Sequence, residues 1–345
     1  MEIVYSISAK LGVGIGLTSL HAIDQIKKAG YLKQTITGDT IQASSNDAVI
    51  KDNLFDVFAS MRISPPVSIL HGWGHMMYAQ ILKAHSLGAK TVLERASSHI
   101  TWQNQILVEE FKRFGFNSKP IHPWSIKKQL AEYKETDYVT VPSQFAYDSF
   151  LGEKYPEEKL LLNPYGVDVK KFKQMKIESD GKFRALFIGA NWIRKNLYDA
   201  EKAWADLNLK DAEFIVRSDA PKFPDINYDS IVVVKWFDDV VETYNKADVI
   251  IFPTLEEGNA LTVGEAAACC TPSITTSSSG TWLDEKSCLF VPIHDIDALK
   301  EKIQYAYDNR DVLKKMGKEA RKISEKNTWE SYGKRLIANY RKIAD

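Results

Sequence analysis

The stretch 252–280 constrains the fold of this chain more than any other segment. It reads FPTLEEGNALTVGEAAACCTPSITTSSSG and follows an apolar run, ADVIIF, over 247–252. The apolar run predicts a buried parallel strand that ends at Pro253. The small apolar residues of 260–270 carry a single charge, Glu265, and predict a buried helix. A further strand is expected over 273–276, so the segment predicts an α/β fold.

The start of the predicted helix has the chemistry of an anion site. In open α/β sheets, ligands bind beyond the carboxyl ends of the strands. The first-turn amides of Asn259, Ala260 and Leu261 point along the positive end of the helix dipole and favour a phosphate. Glu257 precedes the helix and Glu265 follows eight residues later. Such a pair suits a ligand with hydroxyls at both ends of a diphosphate, whereas the alternative is a capping acid and a solvent-facing glutamate.

The residues E-G-N-A-L-T-V-G-E-A-A-A-C-C-T-P resemble the signature of retaining glycosyltransferases of family 4, within the glycosyl transferases group 1. The usual form is E-G-F-G-L-x-x-x-E-A-M-A-x-G-x-P. The resemblance implies the GT-B fold, an α/β architecture of two facing Rossmann-like domains with a nucleotide sugar in the cleft between them. Asn259 stands where the family has an aromatic residue, and Cys270 stands where it has glycine. Both departures are expected to affect packing and donor preference more than reaction class.

Length and composition set the broad organisation. The 345 residues include 45 basic and 45 acidic side chains, which suits two domains and argues against a general nucleic-acid binder. The three cysteines and the histidines show no metal-binding spacing, and a reducing cytoplasm is expected. No signal sequence or transmembrane segment is predicted. The domains are placed at 1–170 and 171–328, and the resemblance implies that a last helix, 329–345, packs back on the first.

Two glycine-rich stretches follow strands in the first half. Gly14 and Gly16 lie between a strand and a helix predicted over 17–29, so they are candidates for donor-phosphate contact, with a plain tight turn as the alternative. The residues HGWGH follow a strand predicted over 67–70. His71, Trp73 and His75 are therefore candidate acceptor-binding residues, and a structural role is the alternative.

The resemblance places a polar residue, often histidine, after the next strand, which is predicted over 90–96. His99 is accordingly the candidate for contacting the donor sugar or positioning the acceptor. Glu94 and Arg95 alternate in that strand, and the sequence leaves open which one faces the cleft. Basic and aromatic residues over 111–134 suit peripheral contact with anionic lipid or binding of an acidic acceptor, whereas a solvated helix face is the favoured interpretation.

Cations and an aromatic residue follow strands in the second half. After the strand ALFIG come Arg194 and Lys195. The resemblance implies that Lys195 neutralises the leaving diphosphate. Ala190 stands at the family's usual arginine position, so Arg194, next to Lys195, is the candidate for the second cation. A surface pair is the alternative. Arg217 and Trp236 follow two further predicted strands. In similar proteins the equivalent strand ends surround the nucleotide base.

The resemblance therefore predicts a retaining glycosyltransferase that moves a sugar from a nucleotide-diphosphate sugar to a hydroxyl acceptor. UDP is expected ahead of GDP, and a glycan or glycolipid is expected as the acceptor. Neither a metal nor a cofactor is expected. Glu257 is assigned to the sugar and Glu265 to the nucleotide ribose. The alternatives are a sugar-nucleotide epimerase or hydrolase of the same fold, and an inactive partner subunit.

Overall fold

The computed structural model describes residues 1–11, 14–38, 48–178 and 180–344, which form two compact units. The first comprises Met1–Gln105, Asn117–Tyr165 and Trp329–Asp345, and the second comprises Ile106–Phe116 and Gly166–Thr328. The sequence boundary at 170 differs from this division in one main respect. The segment Ile106–Phe116, the second half of a helix and the turn after it, groups with the second unit.

The first unit is built on a six-stranded parallel sheet. Its strands are β1 (Ile3–Ile7), β2 (Leu32–Thr37), β3 (Ile69–Trp73), β4 (Lys90–Glu94), β5 (Tyr138–Val141) and β6 (Leu160–Leu162), in the order β2-β1-β3-β4-β5-β6. Its helices are α1 (Ile15–Lys28), α2 (Ala48–Arg62), α3 (Tyr78–Ser86), α4 (Ile100–Arg113), α5 (Pro123–Glu135) and α6 (Gln144–Gly152). Every residue of β1 and β3 is buried, as expected for central parallel strands.

The second unit repeats this architecture. Its strands are β7 (Phe183–Ile188), β8 (Ala212–Arg217), β9 (Ile231–Val234), β10 (Val249–Phe252), β11 (Ser273–Thr275) and β12 (Cys288–Phe290), in the order β12-β11-β10-β7-β8-β9. Its helices are α7 (Leu197–Leu207), α8 (Val240–Lys246), α9 (Leu261–Ala268), α10 (Ile296–Asp308) and α11 (Arg310–Ser324). Two parallel doubly wound sheets confirm the predicted α/β class.

The strand order of the second sheet locates its binding edge. From β7 the chain moves outward through β8 and β9, then returns to the other side of β7 to form β10. The topological switch point therefore lies between β7 and β10. Ligands of open α/β sheets bind beyond the carboxyl ends of the strands at such a point. The two loops that begin there are 189–196 and 253–260.

The last helix, α12 (Trp329–Ala344), belongs to the first unit. Its Tyr332 hydroxyl donates to Glu94 of β4 at 3.2 Å, and its Tyr340 hydroxyl bonds His71 of β3. The other ring nitrogen of His71 lies 3.0 Å from Glu94 Oε2. All four side chains are buried. The helix thus supplies one hydroxyl group to the buried carboxylate of Glu94 and one to the buried imidazole of His71.

No helix in the described part of the chain is both long and apolar enough to cross a membrane. Over the same residues, no group of three or more His, Cys, Asp or Glu side chains is placed to hold a metal ion.

Candidate functional site

The loop after β7 carries two cations in a fixed geometry. The Arg194 carbonyl accepts from the Leu255 amide at 2.9 Å and from the Thr254 hydroxyl at 3.1 Å, which ties this loop to the one after β10. The side chain of Lys195 runs across Gly189. A Cβ built on Gly189 would lie 2.3 Å from Lys195 Cδ, so this glycine leaves the space that the lysine occupies.

The loop after β10 brings two glutamates to the same place. Glu257 accepts from Lys195 Nζ, and its Oε1 lies 3.3 Å from Arg194 Nη2. Glu256 is fully buried and lies 3.5 Å from Arg194 Nη1. The sequence alternatives of a capping acid and a surface cation pair do not describe this cluster. Both cations and both carboxylates face one another at the switch point.

The charges in this cluster hold Glu257 ionised. Burial acts to raise the pKa of Glu257, but the charges of Arg194 and Lys195 outweigh it, so the pKa lies below the usual value. Glu257 and Glu256 together raise the pKa of Arg194. The site therefore holds two permanent cations with restricted access to water. Such groups stabilise negative charge more strongly than they do in bulk solvent.

Helix α9 begins beside the cluster, but fewer of its amides are available than the sequence predicted. The Ala260 amide donates to the Ser279 carbonyl at 2.9 Å, so the prediction that it meets a phosphate is not supported. The Asn259 side chain donates to the Gly280 carbonyl at 2.9 Å. Helix α9 starts at Leu261 and has no side-chain cap. The amides of Leu261 and Thr262 lie in the first turn, where they have no intrahelical acceptor.

Glu265 lies on α9, half-buried rather than turned fully into solvent. Its Oε2 accepts from the Tyr244 hydroxyl at 2.8 Å. Burial raises the pKa of Glu265, while the Tyr244 hydrogen bond and the charge of Lys171 oppose that rise. The carboxylate is thus positioned by a tyrosine that sequence reasoning did not identify.

A cavity of about 330 Å³ opens at the ends of β7, β8 and β9. Its lining includes Ile188, Arg217, Trp236 and Asp238. The Arg217 guanidinium lies 5.2 Å from the centre of the Trp236 ring, and 73% of Trp236 is exposed. An exposed indole beside an apolar wall offers a stacking surface for a planar ring. Arg217 and Trp236 therefore lie together, and their role with a base stays a prediction.

Two of the three candidate acceptor residues lie inside a strand. The predicted strand end at residue 70 is wrong, because β3 continues to Trp73 and pairs with β4 in register. His71 is fully buried between Tyr340 and Glu94. Trp73 is buried, and its indole nitrogen donates to Ser19 Oγ at 2.8 Å. Their contacts favour the structural alternative over acceptor binding.

His75 follows β3 with a left-handed φ of 83°. Its Nδ1 lies 3.2 Å from Gln129 Nε2, and its amide donates to Glu132 at 2.7 Å. Burial, together with the charges of Arg95 and Lys128, lowers the pKa of His75 to about 3. The imidazole is therefore neutral at pH 7, and its proposed contact with an acceptor stays a prediction.

His99 lines a cavity of about 400 Å³ in the first unit. Its ring packs against Tyr133 at 5.0 Å and Phe150 at 4.8 Å between centres. Burial and the charge of Arg95 lower the pKa of His99 to about 4. A neutral ring held by two aromatic residues explains its position by packing. The role predicted for His99 with a sugar is not tested by these contacts.

The backbone geometry explains why glycine stands at both positions after β1. Gly14 has a left-handed φ of 55° at the start of α1. A Cβ on Gly16 would lie 1.9 Å from the Lys10 carbonyl oxygen, so only glycine fits. Gly12 and Val13 of the same loop lie outside the described residues. These contacts account for a tight turn, and phosphate contact by Gly14 or Gly16 stays a prediction.

The segment 111–134 is divided between the two units at 116. Its first part contributes a cluster that the sequence did not reveal. Arg113 pairs with Asp199 and, at 3.2 Å, with Glu110. His294 lies 3.6 Å from Glu110 Oε2. Asp199 and His294 are separated from Arg113 by 86 and 181 positions, so no local pattern could have indicated the cluster.

The two sheets together with the charged switch point define a GT-B protein, and the predicted fold is confirmed by solved structures. Sucrose-phosphate synthase of Thermosynechococcus elongatus superposes with a TM-score of 0.76 at 16% identity, over 99% of each chain. Anabaena HepE in complex with UDP-glucose superposes with a TM-score of 0.72 at 10% identity, over 99% of this chain and 100% of that one. At these identities the likeness shows the fold.

Residues 182–309, which lie in the second unit, match the family model described as glycosyl transferases group 1. The predicted resemblance to glycosyl transferases group 1 is confirmed over this span, which contains Arg194, Lys195, Glu256 and Glu257. An Escherichia coli relative, UDP-Gal:alpha-D-GlcNAc-diphosphoundecaprenol alpha-1,3-galactosyltransferase, is 25% identical over 189 residues, 47% of this chain and 49% of the relative. The chain thus spans about half the length of this curated relative.

Proposed function

We propose that this protein is a retaining glycosyltransferase that uses a nucleotide-diphosphate sugar. The observation that carries the proposal is the paired cluster at the switch point, in which Arg194 and Lys195 face Glu257. Two shielded cations beside a helix start suit a diphosphate. The match of residues 182–309 to glycosyl transferases group 1 supports the same conclusion.

In the proposed complex, the donor lies along the carboxyl edge of the second sheet. The base stacks on Trp236 in the cavity at the ends of β8 and β9, and the ribose hydroxyls bond Glu265. The diphosphate lies against Arg194, Lys195 and the first turn of α9. Glu257 holds hydroxyls of the sugar, since it keeps oxygen lone pairs beyond those used by the two cations.

The chemical step exchanges one C–O bond for another at the anomeric carbon. The bond from that carbon to the diphosphate oxygen breaks, and a bond to the acceptor oxygen forms on the same face of the sugar. The acceptor proton passes to the departing phosphate oxygen, and the nucleoside diphosphate leaves. Lys195 and Arg194 stabilise the charge that grows on the diphosphate, which is the role that a bound metal ion has in other enzymes. The reaction is therefore proposed to be metal-independent, without a cofactor.

UDP is the proposed nucleotide, and a glycan or glycolipid is the proposed acceptor. HepE was solved with UDP-glucose, and the Escherichia coli relative is named for a UDP-galactose donor and a diphosphoundecaprenol-linked acceptor. These names support UDP over GDP and a lipid-linked acceptor.

A panel of nucleotide sugars tests the proposal. We expect one donor, with an acceptor mixture of glycans and lipid-linked sugars, to release nucleoside diphosphate at an unchanged rate after chelation of divalent metals. Proton NMR of the product should show the anomeric configuration of the donor retained. Release of free sugar or an epimer without any acceptor would favour the hydrolase or epimerase alternative. Failure of every nucleoside diphosphate to raise the melting temperature would favour an inactive partner subunit.

A further inference from the structure

Helix α2 (Ala48–Arg62) presents an apolar stripe to solvent. The stripe consists of Ile50, Leu54, Val57, Phe58 and Met61, whose exposed fractions range from 38% to 72%. At about 100° per residue, these five positions cover an arc of roughly 100° on one side of the helix. The opposite side, which includes Phe55 and Ala59, is buried against the first unit. Burial of the unit's own core therefore does not account for the stripe.

The charges of α2 are sorted by sign between its two sides. Lys51 and Arg62 are exposed and lie within roughly 40° of one edge of the stripe. The acids face inward: Asp52 accepts from Ser8 at 3.0 Å, and Asp56 accepts from the backbone amides of Ala79 and Gln80 at 3.1 Å. The exposed side of α2 is thus apolar and cationic.

An aromatic residue adjoins the other flank of the stripe. Lys128 of α5 donates to Asn53 of α2 at 3.0 Å and lies 5.6 Å from the centre of the Trp124 ring. Trp124 is 43% exposed. Tryptophan is enriched where a protein meets the headgroup region of a bilayer. An apolar stripe with cations on one flank and an indole near the other matches a helix that lies in a membrane interface.

We propose that the face formed by the stripe, Lys51, Arg62 and Trp124 docks the first unit on an anionic lipid bilayer. Charge complementarity favours this occupant over a second copy of the chain, because α2 exposes cations and directs its acids inward. The surface differs from the segment 111–134 expected from the sequence, of which Trp124 and Lys128 adjoin α2. The proposal rests on these contacts alone and stands whether or not the protein transfers a sugar.

Co-sedimentation with vesicles tests the docking face. The full chain should bind vesicles of phosphatidylcholine mixed with phosphatidylglycerol and bind phosphatidylcholine alone more weakly. Phe58→Gln/Met61→Gln should reduce binding at least about tenfold, because two apolar side chains that enter the bilayer on docking are lost. Lys51→Gln/Arg62→Gln should reduce binding to the anionic vesicles by roughly 25-fold, at about fivefold for each cation.

The matched control is Met175→Gln/Ile293→Gln, which removes two apolar side chains of 39% and 38% exposure from the second unit. Its binding should equal that of the unchanged chain. Circular dichroism and melting temperature confirm that each variant is folded. Absent binding of the unchanged chain to anionic vesicles, or equal losses in the stripe and control variants, would overturn the proposal. A dimer that the stripe variant converts to a monomer, without vesicle binding, would assign the face to self-association instead.

Discussion

Replacing Lys195 with methionine isolates the charge at the centre of the site. The methionine keeps the aliphatic length that crosses Gly189 but has no ammonium group. In the structure that group bonds Glu257 and lies 4.8 Å from the centre of the Phe252 ring, and the side chain is 14% exposed. Because water has little access to it, its charge acts on a bound diphosphate with little screening.

The size of the effect follows from the neighbouring cation. Removing one preorganised donor to developing negative charge typically lowers kcat by roughly 100- to 1000-fold. Arg194 keeps its guanidinium 3.3 Å from the same carboxylate, so a second cation remains at the site. We therefore expect Lys195→Met to lower kcat about 100-fold, which corresponds to ~2.7 kcal/mol of transition-state stabilisation. The change in KM should be smaller, because the charge on the diphosphate grows during the reaction.

Initial rates of nucleoside diphosphate release with the donor found in the panel measure this effect. Lys202→Met is the matched control, because Lys202 lies on α7 and pairs with Asp206 at 2.7 Å, as an exposed i,i+4 pair. That variant should keep the full kcat. If Lys195→Met had a kcat within a few-fold of the unchanged chain at the same melting temperature, Lys195 would have no role at the leaving group.

Three further predictions concern the same unit. Glu265→Gln should weaken nucleoside diphosphate binding about tenfold by calorimetry, because a charge-assisted bond to the ribose is lost. Burial raises the pKa of Glu265. As the pH is lowered, the affinity of the unchanged chain for the nucleoside diphosphate should therefore begin to fall at a pH above the usual pKa of glutamate. The Glu265→Gln variant should lack this fall. Gly189→Ala should lower kcat at least about tenfold, because the Cβ of the alanine would displace the Lys195 side chain from its position. The control Gly152→Ala, whose Cβ has space, should leave kcat unchanged. Cys270→Gly should raise the free energy of unfolding by about 1 kcal/mol, because Cys270 has a φ of 64°.

Each of these has a result that would contradict it. A calorimetric dissociation constant unaffected by Glu265→Gln would remove the ribose contact. Normal turnover in Gly189→Ala would show that Lys195 reaches its position by another path. A lower unfolding midpoint for Cys270→Gly in denaturant titration would mean that contacts of the thiol outweigh the cost of the left-handed backbone.

The switch-point cluster could be predicted from the sequence because its members lie next to strand ends. Lys195 follows β7 and Glu257 follows β10, and parallel strands bring such ends to one edge. The start of α6 also carries a local signal, because Ser143 Oγ accepts from the Ala146 amide at 3.1 Å. What could not be predicted was that the Ala260 amide is taken by Ser279, since that contact depends on the following loop.

The strand β3 shows why local reasoning failed in the first unit. The letters HGWGH look like a polar loop, yet the chain stays extended through Trp73. His71 is tolerated in the core because Tyr340, 269 positions away, and Glu94 bond its two ring nitrogens. A buried polar side chain with both partners supplied by distant elements leaves no trace in its own neighbourhood.

The departure at Cys270 is likewise explained only by the backbone. The family signature has glycine at this position, and the structure gives Cys270 the left-handed conformation that follows a helix end. Glycine adopts that conformation without steric cost. The substitution therefore bears on stability and leaves the charged cluster intact.

The hydroxyl groups that α12 brings to Glu94 and His71 have a consequence for how the chain can be divided. A fragment made of 1–165 would leave this buried carboxylate without Tyr332, and His71 without Tyr340. A core acceptor stripped of its donor costs about 1–3 kcal/mol or more. These contacts of the first unit's core therefore form only after residue 340 has been synthesised, long after the strands of its sheet. A fragment designed to express the first unit alone should therefore include 329–344, either joined after residue 165 or placed before residue 1.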